Sequence, residues 1–272
     1  MDTNSSEKEK NFTDHLEDLR KIIIRIIIAV IAFTIIAFFL KHIIFDYILF
    51  APTKPCFITN CWLCKLGIYM DIPSLCINNI EISLVNMELA GQFRAHIYIS
   101  VIAGVIFAFP FMIYQIWKFV EPAFKSKEKA IAVKLILSTS LLFFFGIFFG
   151  YFIITPLAIN FLSNYQVSKS LTDLFNFQNY LSIVSGIVLS TGIIFELPVL
   201  VYFLSKMQIL THIKMRKFRK QVIVLIMIIS GIITPPDAFS MILVAIPLYL
   251  LYEISISISK RIYIKQQKKF AG

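Results

Sequence analysis

Six apolar runs separated by polar segments set the pattern of this chain. A helix needs about 20 residues to cross a hydrocarbon core of about 30 Å. Four or five of the runs are that long, whereas the run at 222–233 is short, so either the bilayer thins there or that helix pair ends below the membrane surface. The pattern predicts an all-α integral membrane protein, with six transmembrane helices forming one domain over residues 1–272. The predicted spans are residues 22–40, 97–117, 135–154, 180–203, 222–233 and 239–258.

A polar N-terminal segment, residues 1–20, precedes the first apolar run. Thr13 or Asp14 can cap a helix, and Glu17 follows Asp14 by three residues, as in a capping box. Leucines repeat behind them at helical spacing. We therefore predict a short amphipathic helix that runs into the membrane. No removable signal peptide is predicted, because no small-residue cleavage site follows the first apolar run.

Lysine and arginine residues are distributed unequally between the two ends of the predicted spans. All but five of the 26 fall at the N-terminus, after the second span, after the fourth span or in the C-terminal tail. Cytoplasmic segments carry such an excess, so both termini are predicted to be cytoplasmic, and the opposite side is called the external side below. The net charge of +10 would suit nucleic acid. However, no polar segment interleaves basic with stacking aromatic residues, so the predicted partner is the lipid bilayer and not nucleic acid.

Residues 41–94 form the one long external loop that the pattern predicts, and this loop holds all four cysteines. Disulfides persist outside a bacterial inner membrane, so we expect one or two here. A haem site is disfavoured because no histidine follows the Cys-x-x-Cys pair. A zinc site is disfavoured because neither His42 nor His96 has ligand spacing to the cysteines. The four residues are Cys56, Cys61, Cys64 and Cys76.

A carboxylate, Glu196, lies inside the fourth apolar run. A charge in the membrane interior costs at least about 2.5–3.5 kcal/mol on insertion scales, and such residues usually face a bundle interior or a wet cavity. Pro198 removes the helical hydrogen bond that would use the Ile194 carbonyl, which makes the site more polar. The default interpretation is a functional site. The alternative is structural: Glu196 pairs with a neighbouring helix, and Pro198 is an ordinary kink.

Small residues recur in the third and fourth spans. Gly146 and Gly150 form a small-xxx-small pair in the third span, and serine and glycine residues line the fourth. Small residues let membrane helices approach closely. We therefore predict close packing of these helices, without a functional claim.

Sequence patterns typical of enzymes are absent. There is no His-Glu-x-x-His pair, no Gly-x-Ser-x-Gly elbow and no phosphate-binding glycine loop, and the four histidines lack partners at motif spacing. We therefore predict a protein that is not an enzyme. An ion-coupled secondary transporter that uses Glu196 for coupling is an alternative, although such carriers commonly show repeated halves and none is visible here.

Acidic and aromatic residues gather at the predicted cytoplasmic ends of the first two spans. A guanidinium group binds a carboxylate through two hydrogen bonds and stacks on an aromatic ring, so this group suits an arginine-bearing ligand. A simpler interpretation stays open, in which the acids only offset the nearby lysines at 125, 127 and 129. The residues are Glu17, Asp18, Trp117, Phe119, Glu121 and Glu128.

Five short segments carry a family resemblance: HLEDLR at 15–20; YQIWKFVEPA at 114–123, with Glu128 following; FELP at 195–198; TPPDAFS at 234–240; and IPL at 246–248, leading to LYE at 251–253. Each segment alone is a weak signal. Together, in this order along six spans, they resemble the TatC family, the polytopic subunit of the twin-arginine protein translocase. The resemblance covers essentially the whole chain.

This resemblance implies a six-helix, glove-like bundle in a bacterial cytoplasmic (inner) membrane. It implies a receptor for folded precursor proteins that carry an Arg-Arg signal peptide, and partners that are small single-span TatA/TatB-type subunits in a multimeric complex. It also implies no cofactor and no metal, with transport dependent on the proton-motive force.

Site residues are carried over by position. The resemblance places signal-peptide binding at Asp18, Leu19, Arg20, Phe119 and Glu128, although the family usually has Glu where this chain has Asp18. It makes Glu196 an intramembrane polar site or partner contact on a concave face. Pro52 and Asp237 match family positions on the external side. The cysteine-bearing loop lies outside the family's common motifs.

Overall fold

A computed structural model of the chain describes residues 12–54, 57–69, 71, 84–120, 129–165, 174–234 and 238–270. The all-α membrane fold class is confirmed, because five helical segments among these residues are long and apolar enough to cross a bilayer. Within the described residues, β-structure is confined to two strands of two residues, β1 (Leu84–Val85) and β2 (Phe175–Asn176), which pair in parallel.

The described residues contain the following α-helices in chain order: α1 (Phe12–Phe39), α2 (Ile58–Tyr69), α3 (Gly91–Val120), α4 (Lys129–Phe149), α5 (Thr155–Asn164), α6 (Phe177–Ile194), α7 (Leu197–Lys206), α8 (His212–Lys217), α9 (Arg219–Ile233) and α10 (Ala238–Phe270). Two π-helical segments, Ile43–Leu49 and Gly150–Ile154, and a 3-10 helix, Ala51–Thr53, connect some of them. Because π-helical Gly150–Ile154 continues α4 into α5, the third span is one long helical segment.

Five of the six predicted spans coincide with helical segments of membrane length. The remaining span, the fifth in chain order and predicted at 222–233, forms α9, which has only 15 residues. A helix of that length rises about 22 Å at 1.5 Å per residue, less than the hydrocarbon thickness, so the predicted shortness is confirmed. The five long segments are Leu16–Phe39, Gly91–Phe119, Leu135–Asn164, Phe177–Lys206 and Met241–Ile264.

The described residues fall into two compact units. Among the described residues, the first contains 12–39, 100–120 and 129–140, and therefore α1, most of α3 and the first part of α4. In it, α1 and α3 meet at Thr34 and Gly104. A Cβ atom on Gly104 would lie 2.2 Å from the Thr34 hydroxyl oxygen and 2.8 Å from its backbone nitrogen, so glycine is what permits the approach.

The second unit contains residues 40–99 and 141–272. Its apolar core is built from the external end of the third span together with α6, α9 and α10, and buries Ile154, Phe195, Ile226, Val244 and Leu248, among others. A buried hydrogen bond of 2.8 Å between the hydroxyl groups of Ser205 and Ser259 joins α7 to α10. Buried polar pairs of this kind fix how two apolar helices lie against each other.

Tyrosine hydroxyl groups hold the residues that follow α1 to the third and fourth spans. Tyr151 donates to the Ile48 carbonyl at 2.6 Å, and Tyr180 donates to the Leu49 carbonyl at 2.6 Å. Both carbonyls belong to the π-helical segment, whose irregular hydrogen bonding leaves acceptors available. This attachment fixes the start of the external loop against the second unit.

Candidate functional site

The fourth membrane-length segment is broken at Glu196. Helix α6 ends at Ile194, a two-residue turn ends with Glu196, and α7 begins at Leu197. The Glu196 amide donates to the Ile193 carbonyl at 3.1 Å, which is the three-residue spacing of a tightened turn. Pro198 stands in the first turn of α7, where its missing N–H is tolerated. The sequence predicted one apolar run here that loses a helical hydrogen bond at Pro198, and the structure divides this run into two helices.

Phe195 anchors this turn in the core. Its side chain is almost fully buried, and its ring lies 5.7 Å from the Phe145 ring and 5.5 Å from the Phe149 ring, measured between centroids. Aromatic pairs at such separations add favourable contact energy beyond burial alone. The packing of Phe195 therefore fixes the position of Glu196, the next residue.

The Glu196 carboxyl group is half-buried and lies next to the backbone of Phe143 in α4. Its Oε1 atom is buried and forms no hydrogen bond with any residue that the structure describes. A buried polar atom left unsatisfied costs roughly 1–3 kcal/mol. The arrangement thus presents one acceptor to a donor from outside the described chain.

Close packing of α4 on α6 surrounds the break. A Cβ atom on Gly146 would lie 2.7 Å from the Thr191 carbonyl oxygen and 2.9 Å from the Gly192 Cα. A Cβ atom on Gly150 would lie 2.2 Å from the Thr191 hydroxyl oxygen. The predicted role of this glycine pair in close helix packing is confirmed.

The N-terminal site residues lie in the first turns of α1, on the side where the basic residues are concentrated. Leu19 and Arg20 are exposed, and Asp18 is half-buried. Glu17 forms an ion pair with Lys21, with 2.8 Å between Oε1 and Nζ. This pair is exposed, so water and salt screen it and it adds little to stability. It occupies one carboxylate of the predicted acidic group, and the sequence analysis did not anticipate it.

The depth of Asp18 can be compared with that of Phe119 by counting residues along α1 and α3. From the meeting point of Thr34 and Gly104, α1 runs 16 residues back to Asp18, and α3 runs 15 residues on to Phe119. At 1.5 Å per residue these are distances of about 24 Å and 22 Å. Because successive spans cross in opposite directions, we expect Asp18 and Phe119 at about the same depth. Phe119 is half-buried.

Several predicted site residues fall outside the described residues: Glu121, Glu128, Asp237, Cys56 and Cys76. Pro52 is described and lies buried in the 3-10 helix. Cys64 is bonded in a disulfide, and Cys61 is not part of one. The roles that the resemblance assigns to the site residues, described or not, remain predictions.

One polar cluster was not predicted as a site. Arg219 Nη2 lies 2.8 Å from Glu253 Oε2, the Tyr249 hydroxyl donates to Glu253 Oε1 at 3.1 Å, and the Tyr252 hydroxyl donates to the Met215 carbonyl at 2.8 Å. These contacts tie α8 and the start of α9 to α10. The spacing of Tyr249 and Glu253, four residues apart on one helix, was the available sequence signal.

Gln115 is a second polar residue that the sequence analysis did not single out as a site. It is buried in α3, one turn before Phe119. Its Oε1 atom forms no hydrogen bond with any described residue. A buried amide of this kind is unusual in a membrane helix, where polar side chains normally find partners. The same end of α3 therefore offers a hydrogen-bonding group beside the aromatic ring.

The family model for the Sec-independent protein translocase protein (TatC) matches residues 14–247, which is most of the chain. The chain belongs to the TatC family. Protein translocation is a membrane transport function, so the TatC assignment confirms that the chain is not an enzyme. It also supports translocation over secondary transport of a small solute.

Individual TatC relatives agree over nearly the whole length. The TatC proteins of Blattabacterium sp. subsp. Periplaneta americana and Aquifex aeolicus are each 36% identical to this chain, over 266 and 252 residues. The alignments cover 97% and 91% of this chain and 99% and 94% of those proteins. A crystal structure of the twin arginine translocase receptor TatC is 35% identical, with a TM-score of 0.69, and the match covers 92% of this chain and 99% of that one. The chain is thus a multi-pass membrane component of a bacterial twin-arginine translocase.

Proposed function

We propose that this translocase subunit is the one that binds the Arg-Arg signal peptides of folded precursor proteins, at the cytoplasmic ends of the first two spans. The observation that supports the proposal is the near-equal helical length from the Thr34–Gly104 contact to Asp18 in α1 and to Phe119 in α3. Both belong to the first compact unit. A carboxylate and an aromatic ring at one level match the two ways in which a guanidinium group is recognised.

The two arginines of such a signal require more than one anionic group. The resemblance assigns Asp18 and Glu128 to the arginine pair, whereas Glu17 forms an ion pair with Lys21. The exposed Leu19 offers apolar contact to the residues beside the pair, and Arg20 orients one of the carboxylates through an ion pair. Asp18 is one methylene shorter than the usual glutamate, so in this chain Glu128 carries the larger part of binding.

Glu196, in the fourth span, is assigned separately as an intramembrane polar contact. From the end of α7 at Lys206 to Glu196 is ten residues, or about 15 Å of helix. The unsatisfied Oε1 atom of Glu196 supports a polar contact there, with a side chain of a single-span TatA/TatB-type subunit or with water. In this arrangement the subunit works in a multimeric complex in the bacterial inner membrane.

Crosslinking tests the assignment of the carboxylates. A photo-crosslinker placed beside the arginine pair of a signal peptide is expected to label the wild-type subunit in membranes. Glu128→Ala should abolish this product, and Asp18→Ala should weaken it, because each substitution removes a bidentate partner for an arginine.

The matched control is Glu88→Ala. Glu88 is also acidic and exposed, and it forms an ion pair of 2.9 Å with Arg94, but it lies on the external side. Its removal should leave crosslinking unchanged. If the Glu128→Ala protein crosslinks as well as wild type, the role assigned to Glu128 is wrong.

A further inference from the structure

Helix α2 lies in the cysteine-bearing external loop, and it has one buried face and one exposed face. Phe57, which precedes the helix, is buried, as are Asn60 and Gly67, and Cys64 is half-buried. These residues follow one another at three- and four-residue spacing, so they share one face. The Cys64 disulfide therefore leaves from the half-buried side of α2.

The opposite face is an apolar stripe. Ile58, Trp62, Lys65 and Tyr69 are spaced by four, three and four residues, so they also share one face. Ile58 is 70% exposed, Trp62 63% and Tyr69 89%, and Ile68 beside them is 74% exposed. We call these residues the α2 stripe. Exposed apolar surface of this extent next to membrane spans indicates an interaction surface.

Contacts with the third span fix where α2 sits. The Thr59 hydroxyl donates to the Phe152 carbonyl, and the Phe57 ring stacks on the Phe152 ring, with 5.8 Å between centroids and 12° between planes. Phe152 belongs to the membrane-length segment Leu135–Asn164 and lies 17 residues after Leu135, about 26 Å along the helix, which is close to the external limit of a hydrocarbon core of about 30 Å. Helix α2 is thus held at the level where that span leaves the hydrocarbon core.

An exposed apolar face of the third span leads directly to α2. Leu141, Phe145 and Phe148 are exposed and spaced by four and three residues. The Phe148 ring stacks on the Phe152 ring, with 6.2 Å between centroids, and the Phe152 ring also stacks on the Phe57 ring. Because exposed apolar faces of a spanning helix contact lipid or other apolar helices, the surface that reaches α2 is already a membrane-embedded one.

We propose that α2 lies in the headgroup region of the external leaflet, with the α2 stripe directed toward lipid. Tryptophan and tyrosine are enriched at this level because each has an apolar ring and a polar end. Lys65 keeps its methylene groups along the apolar surface and its ammonium among the phosphates. The isoleucines enter the boundary of the acyl chains. This proposal stands independently of signal-peptide binding.

Tryptophan fluorescence tests the proposal directly, because the chain has only two tryptophans and Trp117 is buried in α3. In a Trp117→Phe protein, reconstituted as the full chain in phosphatidylcholine vesicles, Trp62 is the sole emitter. We expect its emission to be shifted to shorter wavelength relative to a tryptophan amide in water. We also expect a spin label on the lipid headgroup to quench it more than a label near the end of the acyl chain.

A deep reference comes from the same chain. Ile31 is exposed in the middle of the first span. In a protein with Ile31→Trp, Trp62→Phe and Trp117→Phe, the order of quenching should reverse, with the acyl-chain label more effective. The ratio of the two quenching efficiencies therefore ranks Trp62 against a residue at known depth.

Three results would overturn the proposal. Emission like that in water, without quenching by either label, would place the α2 stripe in solvent. Short-wavelength emission without quenching would place it against protein, such as a second copy of this chain. Stronger quenching by the acyl-chain label would place it in the hydrocarbon core. If Trp117→Phe fails to fold, the difference in signal between wild type and Trp62→Phe gives the same readout.

Discussion

Glu196 is a carboxyl group at a point where the backbone has already left regular helical hydrogen bonding. A continuous helix would surround the side chain with satisfied amides, whereas the turn before α7 supplies a 3-10-type bond and an adjacent proline. Discontinuous helices at membrane depth are tolerated where they are covered by protein or line a cavity. Phe195, packed against α4, covers the break between α6 and α7 on one side, and the Glu196 carboxyl group lies on the other side of the break.

Substitution of Glu196 separates polarity from proton exchange. Glu196→Gln keeps the size and the hydrogen-bonding capacity, so we expect near wild-type transport of a twin-arginine precursor into inside-out vesicles. Glu196→Leu removes the polar contact, and transport should be lost. Thermal stability in detergent should be at least that of wild type, because leucine removes a buried unsatisfied oxygen. Loss of transport in both variants would point instead to an ionisable proton at this position.

At the scale of helices, the closest approach of α4 to α6 depends on glycine. The atoms that face Gly146 belong to the backbone of α6 and to Cβ of Phe195, and these atoms cannot turn away as a side-chain end can. Gly186, in contrast, has open space where its Cβ would stand. The two positions form a natural pair for testing helix packing.

Gly146→Ala is expected to lower stability by about 1–3 kcal/mol, because the added methyl group forces α4 away from α6. Gly186→Ala should instead leave stability unchanged or raise it by up to about 1 kcal/mol, since alanine favours the helix over glycine. Thermal unfolding of the two purified proteins in the same detergent measures both effects. Equal stability of the two variants would contradict the packing seen between α4 and α6.

At the scale of the whole molecule, we propose that the proton-motive force drives transport and is not needed for recognition. Asp18, one of the carboxylates assigned to the signal, is half-buried and lies at the predicted cytoplasmic surface, so its binding of arginine needs no transmembrane potential. An uncoupler added to energised vesicles should therefore stop precursor transport while leaving signal-peptide crosslinking intact. Loss of both together would show that recognition itself requires the potential.

The sequence predicted the parts of the fold that depend on local pattern. Apolar run length gave the five long segments and the shortness of α9, because a span must match the hydrocarbon thickness. The small-residue pair at Gly146 and Gly150 predicted close helix packing, and both glycines lie against α6 in the structure. For the site, the position of Glu196 beside Pro198 indicated a polar, irregular point in the fourth span.

Features that depend on distant pairing were not predictable. Arg219 and Glu253 are 34 residues apart, and no local rule brings them together. The division of the fourth span into α6 and α7 follows from how Phe195 packs against two rings of the third span, which the sequence around Pro198 does not reveal. Likewise, the α2 stripe became visible only when the opposite face of α2 was seen to be buried.

The Cys64 disulfide sets an order of events in the making of this protein. Thiols stay reduced in the cytoplasm and are oxidised outside a bacterial inner membrane. Because the bond lies in the loop between the first two spans, which the basic residues predict to be external, we expect it to form only after that loop has crossed the membrane. The external segment therefore reaches its final covalent form after the spans that flank it are in place, and maturation of this subunit depends on the oxidising machinery of the compartment it faces.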